Sequence, residues 1–304
     1  SVFRFFILAL RREVDIAHFQ MASGGSLYRK SVFSLLARCM SIPYMVHIHG
    51  SDIFEFAPRN ILSRSCFRFV IRGSLRCVTL GARHKEMLHE LTTYPSSQIV
   101  VISNGADGPA RVAGRQKKEF IFVGNLGERK GALKLVEAFS QIKNQTWRLV
   151  IVGPGDDRAI KSFLTRNKLV RKVSMLGPLG PAAVQNRMKT SSVLVLPSRA
   201  EAMPMVLLEA MACGLALIST PVGEIPKLIR NDFNGVLMGE NWTVADLTQT
   251  LDWFASDANV KALQQMKNNS RLEWESKYSS DRFLNEIRGL YKALRSELPT
   301  RGID

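Results

Sequence analysis

The fold is decided by the stretch Pro197-Ser-Arg-Ala-Glu-Ala-Met-Pro-Met-Val-Leu-Leu-Glu-Ala-Met-Ala-Cys-Gly214. An uninterrupted apolar run, Val193-Leu-Val-Leu196, precedes it, and a second, Leu215-Ala-Leu-Ile218, follows it. Runs this short and this apolar read as strands covered on both faces. Between them the signals are helical. Pro204 suits a first turn, apolar residues fill 205–213, and Gly214 suits the position just past the last turn. Strand, helix and strand joined this way make a βαβ unit, and hence a parallel sheet.

The same alternation extends outward in both directions. Strands are expected at 15–20, 44–49, 76–80 and 98–102, with helices at 26–41, 59–74 and 82–92 between them. Further strands are expected at 120–124, 148–153, 173–176, 193–197, 215–219 and 235–238, separated by helices at 130–143, 157–168, 181–190, 205–213 and 223–230. The polar stretch 106–118, with two Gly, one Pro and four basic residues, reads as a linker. The expectation is α/β: two doubly wound Rossmann-like domains, 1–110 and 111–280, with a last helix in 281–304. Ligands of such sheets bind beyond the carboxyl ends of the strands.

The 304 residues are 46% hydrophobic and 22% charged, which excludes collagen-like, coiled-coil and disordered classes. The apolar stretch 2–10 is broken by Arg4, is too short to cross a bilayer and lacks the flanks of an export signal. Cys39, Cys66, Cys77 and Cys213 sit at no metal-ligand spacing and read as buried thiols in a reducing cytoplasm. The net charge is +16. Residues 1–110 carry 13 basic and 7 acidic side chains, and 111–304 carry 29 and 19, so the excess is spread over the chain. It favours anionic partners (phosphates, anionic lipid head groups or nucleic acid) without choosing among them.

Two loops carry chemistry. The first is Phe122-Val-Gly-Asn-Leu-Gly-Glu-Arg-Lys-Gly131. It leaves a strand and opens a helix, and its three glycines allow tight turns. Arg129 and Lys130 are expected at the helix N-terminus, where free N–H groups already favour an anion. It matches neither a Walker A loop nor Gly-x-Gly-x-x-Gly, and a solvated basic turn is the alternative. The second loop is the opening stretch itself. Glu201 and Glu209, with the backbone amides around Met203, Met205 and Val206 between them, suit a polyhydroxylated, phosphorylated ligand. Glu209 stands among Val206, Leu207, Leu208, Ala210, Met211 and Ala212, where a carboxylate needs a partner.

Together these segments resemble the second domain of glycosyltransferase family 4, retaining GT-B enzymes that use nucleotide-sugar donors. The resemblance rests on Val-Gly-x5-Lys-Gly at 123–131, Ile-Val-Gly-x-Gly at 151–155, Leu-Pro-Ser at 196–198, and the pair Glu201/Glu209 running into Glu-Ala-Met-Ala-Cys-Gly. The first half resembles the acceptor domain through Asp15-Ile-Ala-His18, Gly24-Gly25-Ser26, His49-Gly50-Ser51-Asp52 and Ile102-Ser-Asn-Gly105. The helix at 281–295 resembles the one that crosses back to that domain.

The resemblance implies roles. Glu209 would hold the donor ribose. Lys130, with Arg129, would bind the diphosphate and stabilise it as it leaves. Glu201 and the segment Met203, Pro204, Met205 and Val206 would hold the transferred sugar, and the backbone at Leu176 would face the base. His49 would face the sugar from the first domain. The leaving phosphate would help deprotonate the acceptor, and Glu201 would not be a nucleophile. The donor would be UDP- or GDP-linked, with no cofactor and no metal ion. Many members carry Arg directly after the first glycine of the first loop, where this chain has Asn125. Typical members also begin with a strand and a Gly-Gly loop that would precede Val2, about a first quarter.

Arg64, Arg68, Arg72 and Arg76 recur every four residues, as one stripe on a helix beginning near Arg59. The stripe reads either as a solvated face or as a site for an anionic membrane or a lipid-phosphate acceptor. The expected function is therefore transfer of a hexosyl unit to a cell-surface glycan or lipid-linked acceptor, in the cytoplasm or peripherally on the inner face of the plasma membrane. A nucleotide-sugar-binding protein without activity is the alternative. A polyanion or nucleic-acid binder ranks below both, because no nucleic-acid motif is present.

Overall fold

In the computed structural model, residues 2–11, 13–50, 52–110 and 116–298 are described. Residues 111–115 of the expected linker, Ser51 of the His-Gly-Ser-Asp segment and 299–304 of the last segment lie outside them. The chain divides into two units, Ser1–Asn104 with Phe283–Asp304, and Gly105–Arg282.

The first unit contains α1 (Val2–Leu10), β1 (Ala17–Met21), α2 (Gly25–Cys39), β2 (Tyr44–Ile48), α3 (Ile53–Phe56), α4 (Ile61–Arg72), β3 (Arg76–Thr79), α5 (Ala82–Thr92) and β4 (Ile99–Val101). The four strands are parallel and in sequence order, β1-β2-β3-β4. Right-handed crossovers in a consecutive order put the connecting helices on one face. The two-residue period of β2 shows what each face meets. Tyr44, Val46 and Ile48 join a core with Leu27 of α2, Phe67 and Val70 of α4, and Leu88 of α5. Met45, with Val78 and Ile102, packs instead on Ile287 and Leu294 of the last helix.

The second unit contains β5 (Glu119–Val123), α6 (Ala132–Phe139), β6 (Arg148–Val152), α7 (Arg158–Arg166), β7 (Val173–Met175), α8 (Pro181–Thr190), β8 (Val193–Leu196), α9 (Met205–Ala212), β9 (Ala216–Ser219), α10 (Ile225–Leu228), β10 (Gly235–Leu237), α11 (Val244–Ala255) and α12 (Val260–Glu273). The last helix, α13 (Ser280–Glu297), starts here and belongs to the first unit from Phe283 onward. The sheet is fully parallel, in the order β10-β9-β8-β5-β6-β7. Helices α6, α7 and α11 pack together as one group, and α8, α9 and α12 as another. Between these layers the aliphatic runs vanish from solvent, as at Leu149, Val150, Ile151 and Val152. Both parallel sheets and their helix layers form an α/β architecture of GT-B type.

Away from the two loops, the structure departs from expectation in three places. Helices α11 and α12 lie where the sequence reading places none. A capping box starts α11, with Thr243 and Asp246 satisfying each other's backbone N–H groups. Its buried Leu247, Leu251 and Phe254 make a narrow stripe in a polar sequence. Arg76 is not on the arginine helix, because α4 ends at Arg72 and Arg76 is the first residue of β3. Cys39 is exposed and Cys66 half-buried, so only Cys77 and Cys213 are the buried thiols expected.

Candidate functional site

In the second unit the strand order reverses between β5 and β8. Crossovers leave these two strands in opposite directions, so their carboxyl ends border a crevice. Both predicted loops start there.

After β5, the Gly124 N–H donates to the Val152 carbonyl at 2.9 Å. The Asn125 side-chain oxygen accepts from the Gly127 N–H at 2.8 Å, shaping the turn. A single 3₁₀ turn, Glu128–Lys130, follows. Gly131 then adopts φ +74°, and a Cβ there would lie 2.5 Å from the Pro197 carbonyl oxygen. Only glycine lets the β5 and β8 loops touch at this point. The left-handed residue also interrupts the helix. Arg129 and Lys130 therefore stand in the 3₁₀ turn just before α6, which opens at Ala132 and not at 130 as expected.

Lys130 Nζ lies 2.5 Å from Glu201 Oε1, with the two side chains only 19% and 10% exposed. The residues assigned to the diphosphate and to the sugar thus meet directly. Each supplies the countercharge that makes burial of the other tolerable. An anion reaching Lys130 would exchange one countercharge for another and release a Glu201 oxygen to accept from hydroxyls.

The sequence reading missed two supports of this pair. At Gly223, φ is +58° and a Cβ would fall 2.1 Å from the Glu201 carbonyl oxygen. The neighbouring Glu224 N–H donates to the Ala202 carbonyl at 2.8 Å. Pro221-Val-Gly223-Glu224, at the carboxyl end of β9, was the available signal. Arg199 donates its N–H to the Arg129 carbonyl at 2.8 Å and pairs with Glu128 at 2.8 Å, tying the two loops together. The Arg129 side chain itself is exposed.

Helix α9 begins at Met205, with Pro204 as its N-cap and not in its first turn. Pro204 has no N–H to offer. Met205 and Val206 are the first helical residues, whose N–H groups have no carbonyl one turn back. Met203 is buried, at 3% exposure. Farther along, Glu209 is half-buried between the fully buried Leu208 and Ala210. Among the described residues its carboxylate has no hydrogen-bond or ion-pair partner, and burial raises its pKa above the ordinary carboxylate value. Such a group is the natural acceptor for a ligand's hydroxyls.

Leu176 follows β7 with its N–H on the Ile151 carbonyl and its side chain 41% exposed. Beside it the Gly153 N–H donates to the Gly177 carbonyl at 2.9 Å. The carboxyl edge of one sheet therefore holds Asn125, Arg129, Lys130, Leu176, Glu201 and the start of α9. A cavity of about 540 Å³ lies at the opposite, amino-terminal edge, bordered by Lys118, Trp147, Ser192, Phe254 and Lys267.

In the first unit, His49 Nε2 faces the side-chain oxygen of Gln20. Of the four arginines assigned to a membrane or acceptor, Arg76 pairs with Glu297 at 2.7 Å. Arg64 donates to the Pro58 carbonyl, Arg68 to the Leu91 carbonyl and Arg72 to the Thr92 carbonyl. Arg68 and Arg72 thus close the C-terminal turn of α5, in keeping with a cation at a helix C-terminus. No group of three or more His, Cys, Asp or Glu able to hold a metal ion occurs among the described residues.

The chain is similar to known proteins in sequence and in fold. Residues 107–273, more than half of the chain, match the family described as Glycosyl transferases group 1. An uncharacterised glycosyltransferase of Methanocaldococcus jannaschii is 27% identical over 86% of this chain and 72% of its own. The UDP-Gal:alpha-D-GlcNAc-diphosphoundecaprenol alpha-1,3-galactosyltransferase of Escherichia coli is 27% identical over 96% of this chain and 78% of its own. Among solved structures, Anabaena Alr3699/HepE in complex with UDP superposes with a TM-score of 0.79 at 17% identity, covering 96% of this chain and 82% of that one. The chain belongs to the family of glycosyl transferases group 1.

Proposed function

We propose that the protein is a retaining glycosyltransferase that moves a hexosyl unit from a nucleoside-diphosphate sugar to a glycan or lipid-linked acceptor. The observation that carries the reading is the Lys130–Glu201 pair at the switch point, followed eight residues after Glu201 by Glu209, whose carboxylate has no partner among the described residues. Lys130 and Arg129 take the diphosphate. Glu209 takes the ribose hydroxyls, the backbone at Leu176 faces the base, and Asn125 shapes the phosphate turn. Glu201, with the segment from Met203 to Val206, takes the transferred sugar, and His49 of the first unit serves the same sugar. As the bond to the anomeric carbon breaks, charge grows on the β-phosphate, and the fixed cation of Lys130 stabilises it there. This reading calls for no metal ion or other cofactor. The UDP in the E. coli relative's name and in the Anabaena complex supports a uridine nucleotide.

A lipid-linked acceptor also suits α4. Ile61 and Leu62 at its start are 83% and 64% exposed, beside the exposed Arg64, Arg68 and Arg72. No helix of the described residues is long and apolar enough to cross a membrane. In this reading the chain docks peripherally on an anionic surface, the inner face of the plasma membrane.

The test is transfer from labelled UDP- and GDP-hexoses to lipid-diphosphate-sugar and soluble glycan acceptors, with and without a chelator. The anomeric configuration of the product is read by NMR. Retained configuration, unaffected by chelator, is expected. Inverted configuration or hydrolysis without transfer would refute the mechanism.

A further inference from the structure

The face of the first sheet that meets α13 is unusually polar. Register pairs His18 with Met45 and Gln20 with His47, so the two-residue period puts all four on one face, with His49 just beyond. The ring planes of His18 and His47 stack within 2° at 5.6 Å, and His47 lies 4.0 Å from His49, centroid to centroid. Phe283 of α13 packs 6.3 Å from His47, and the Tyr291 hydroxyl lies 2.6 Å from His18 Nδ1. Burial lowers all three histidines, His47 to about 2 and His18 to about 4, so the rings are neutral near pH 7.

A neutral imidazole has one donor and one acceptor nitrogen. Between His18 and His49 stands one carboxamide, whose oxygen only accepts and whose nitrogen only donates. Gln20 Oε1 faces His49 Nε2, and Gln20 Nε2 lies 3.2 Å from His18 Nε2. The amide therefore forces opposite tautomers on the two rings. His49 must donate from Nε2, His18 must accept at Nε2, and His18 must then donate from Nδ1, where Tyr291 accepts.

We propose that Gln20 is a positioning residue that holds His49 as its Nε2–H tautomer, with His18 and Tyr291 completing the relay. It rests on the reading in which His49 serves the transferred sugar. His49 then offers a lone pair at Nδ1, which no described residue engages. The sugar group it meets is a hydroxyl that donates, and a sugar deoxygenated at that position loses the contact. His47, buried with both nitrogens unpartnered, is the apolar-side spacer of the stack and takes no part in the relay.

The test is the tautomeric state of the histidines in the intact chain, labelled with ¹⁵N-histidine and read by long-range ¹H–¹⁵N correlation near pH 7. Only five histidines are present, so each ring is assignable by substitution. The expected result is a pyrrole-type Nε2 on His49 and a pyrrole-type Nδ1 on His18. Gln20→Glu, on an exposed strand position, replaces the two-way amide by a group that only accepts. His18 should then turn its N–H to Nε2, and its bond with Tyr291 should reverse, the hydroxyl donating to Nδ1. In transfer assays Gln20→Leu, which removes the acceptor that His49 Nε2–H needs, should lower kcat about threefold to tenfold, the value of one neutral hydrogen bond, with KM for the donor within about twofold. Tyr291→Phe removes the last acceptor and should weaken the His18 preference without moving the His84 and His89 signals. A pyrrole-type Nδ1 on His49 in the unmodified chain overturns the relay, as do histidine spectra that Gln20→Glu leaves unchanged. The expected spectra with unchanged kcat would leave the relay standing and overturn instead the role given to His49.

Discussion

Replacing Glu209 by glutamine should stabilise the free protein and weaken its hold on a nucleoside diphosphate. The Glu209 carboxylate is half-buried between Leu208 and Ala210, without a partner among the described residues, and its pKa is raised by burial. An unsatisfied buried polar group costs about 1–3 kcal/mol. Half exposure puts Glu209 at the low end, about 1 kcal/mol. For a unit of this size that corresponds to roughly 2–4 °C in Tm. The pH dependence follows from the sign of the shift. The folded pKa lies above the unfolded one, so the penalty is fully present above the folded pKa. It fades as pH falls toward the unfolded value, about 4.3. The gain of Glu209→Gln should therefore be largest near neutral pH and vanish near pH 4. In the complex the order reverses. A carboxylate accepting from two ribose hydroxyls contributes about 1.5–3 kcal/mol, so the variant should bind UDP about tenfold or more weakly. Scanning calorimetry across this pH range and titration calorimetry with UDP read the two effects. A lower Tm at neutral pH, or a gain that ignores pH, would show that the carboxylate is already satisfied. An unchanged Kd would remove it from the ribose site.

Gly131→Ala should lower Tm by several degrees, because the left-handed backbone costs about 1–2 kcal/mol and the new Cβ meets the Pro197 carbonyl oxygen at 2.5 Å; an unchanged Tm would mean the two loops do not touch. Lys130→Ala should reduce kcat at least as much as kcat/KM, since its charge acts most on the departing diphosphate, and steady-state kinetics showing only a raised KM would contradict this. It should also destabilise by about 2 kcal/mol through the stranded Glu201, part of which adding Glu201→Gln restores. Arg64, Arg68 and Arg72 changed together to Gln should abolish co-sedimentation with anionic vesicles and lower Tm, the latter through the lost α5 carbonyl contacts. The exposed Arg166, Lys168 and Arg171 changed likewise should do neither, and equal loss of vesicle binding would reduce the effect to bulk charge.

All ten strands are legible in the sequence, those of the second sheet chiefly because parallel strands covered on both faces need no polar alternation, as Leu149-Val-Ile-Val152 shows. Helices α11 and α12 are less legible, since one buried stripe among polar residues looks like a loop until Thr243 and Asp246 are seen as a capping box. The arginine period failed at Arg76 for a local reason. It continues across Gly73, where α4 ends, and a spacing carries no record of where a helix stops. Loops such as 122–131 can be found because strand-to-helix turns that approach a ligand need glycine. The partnership of Lys130 with Glu201, 71 residues apart, depends on strand order, which no local pattern encodes. Gly223 and Arg199 are hidden for the same reason, since each matters only through the loop it touches. The histidine relay needed the register of β1 on β2 as well.

Donor binding at the β5/β8 switch point is tested most directly by a crystal structure of the chain with UDP. The diphosphate should lie within hydrogen-bond distance of Lys130 and the amides of the turn before α6, with the ribose on Glu209 and the Lys130–Glu201 contact opened. UDP seated instead in the cavity at the opposite edge of the sheet, between Lys118, Trp147 and Lys267, would contradict it.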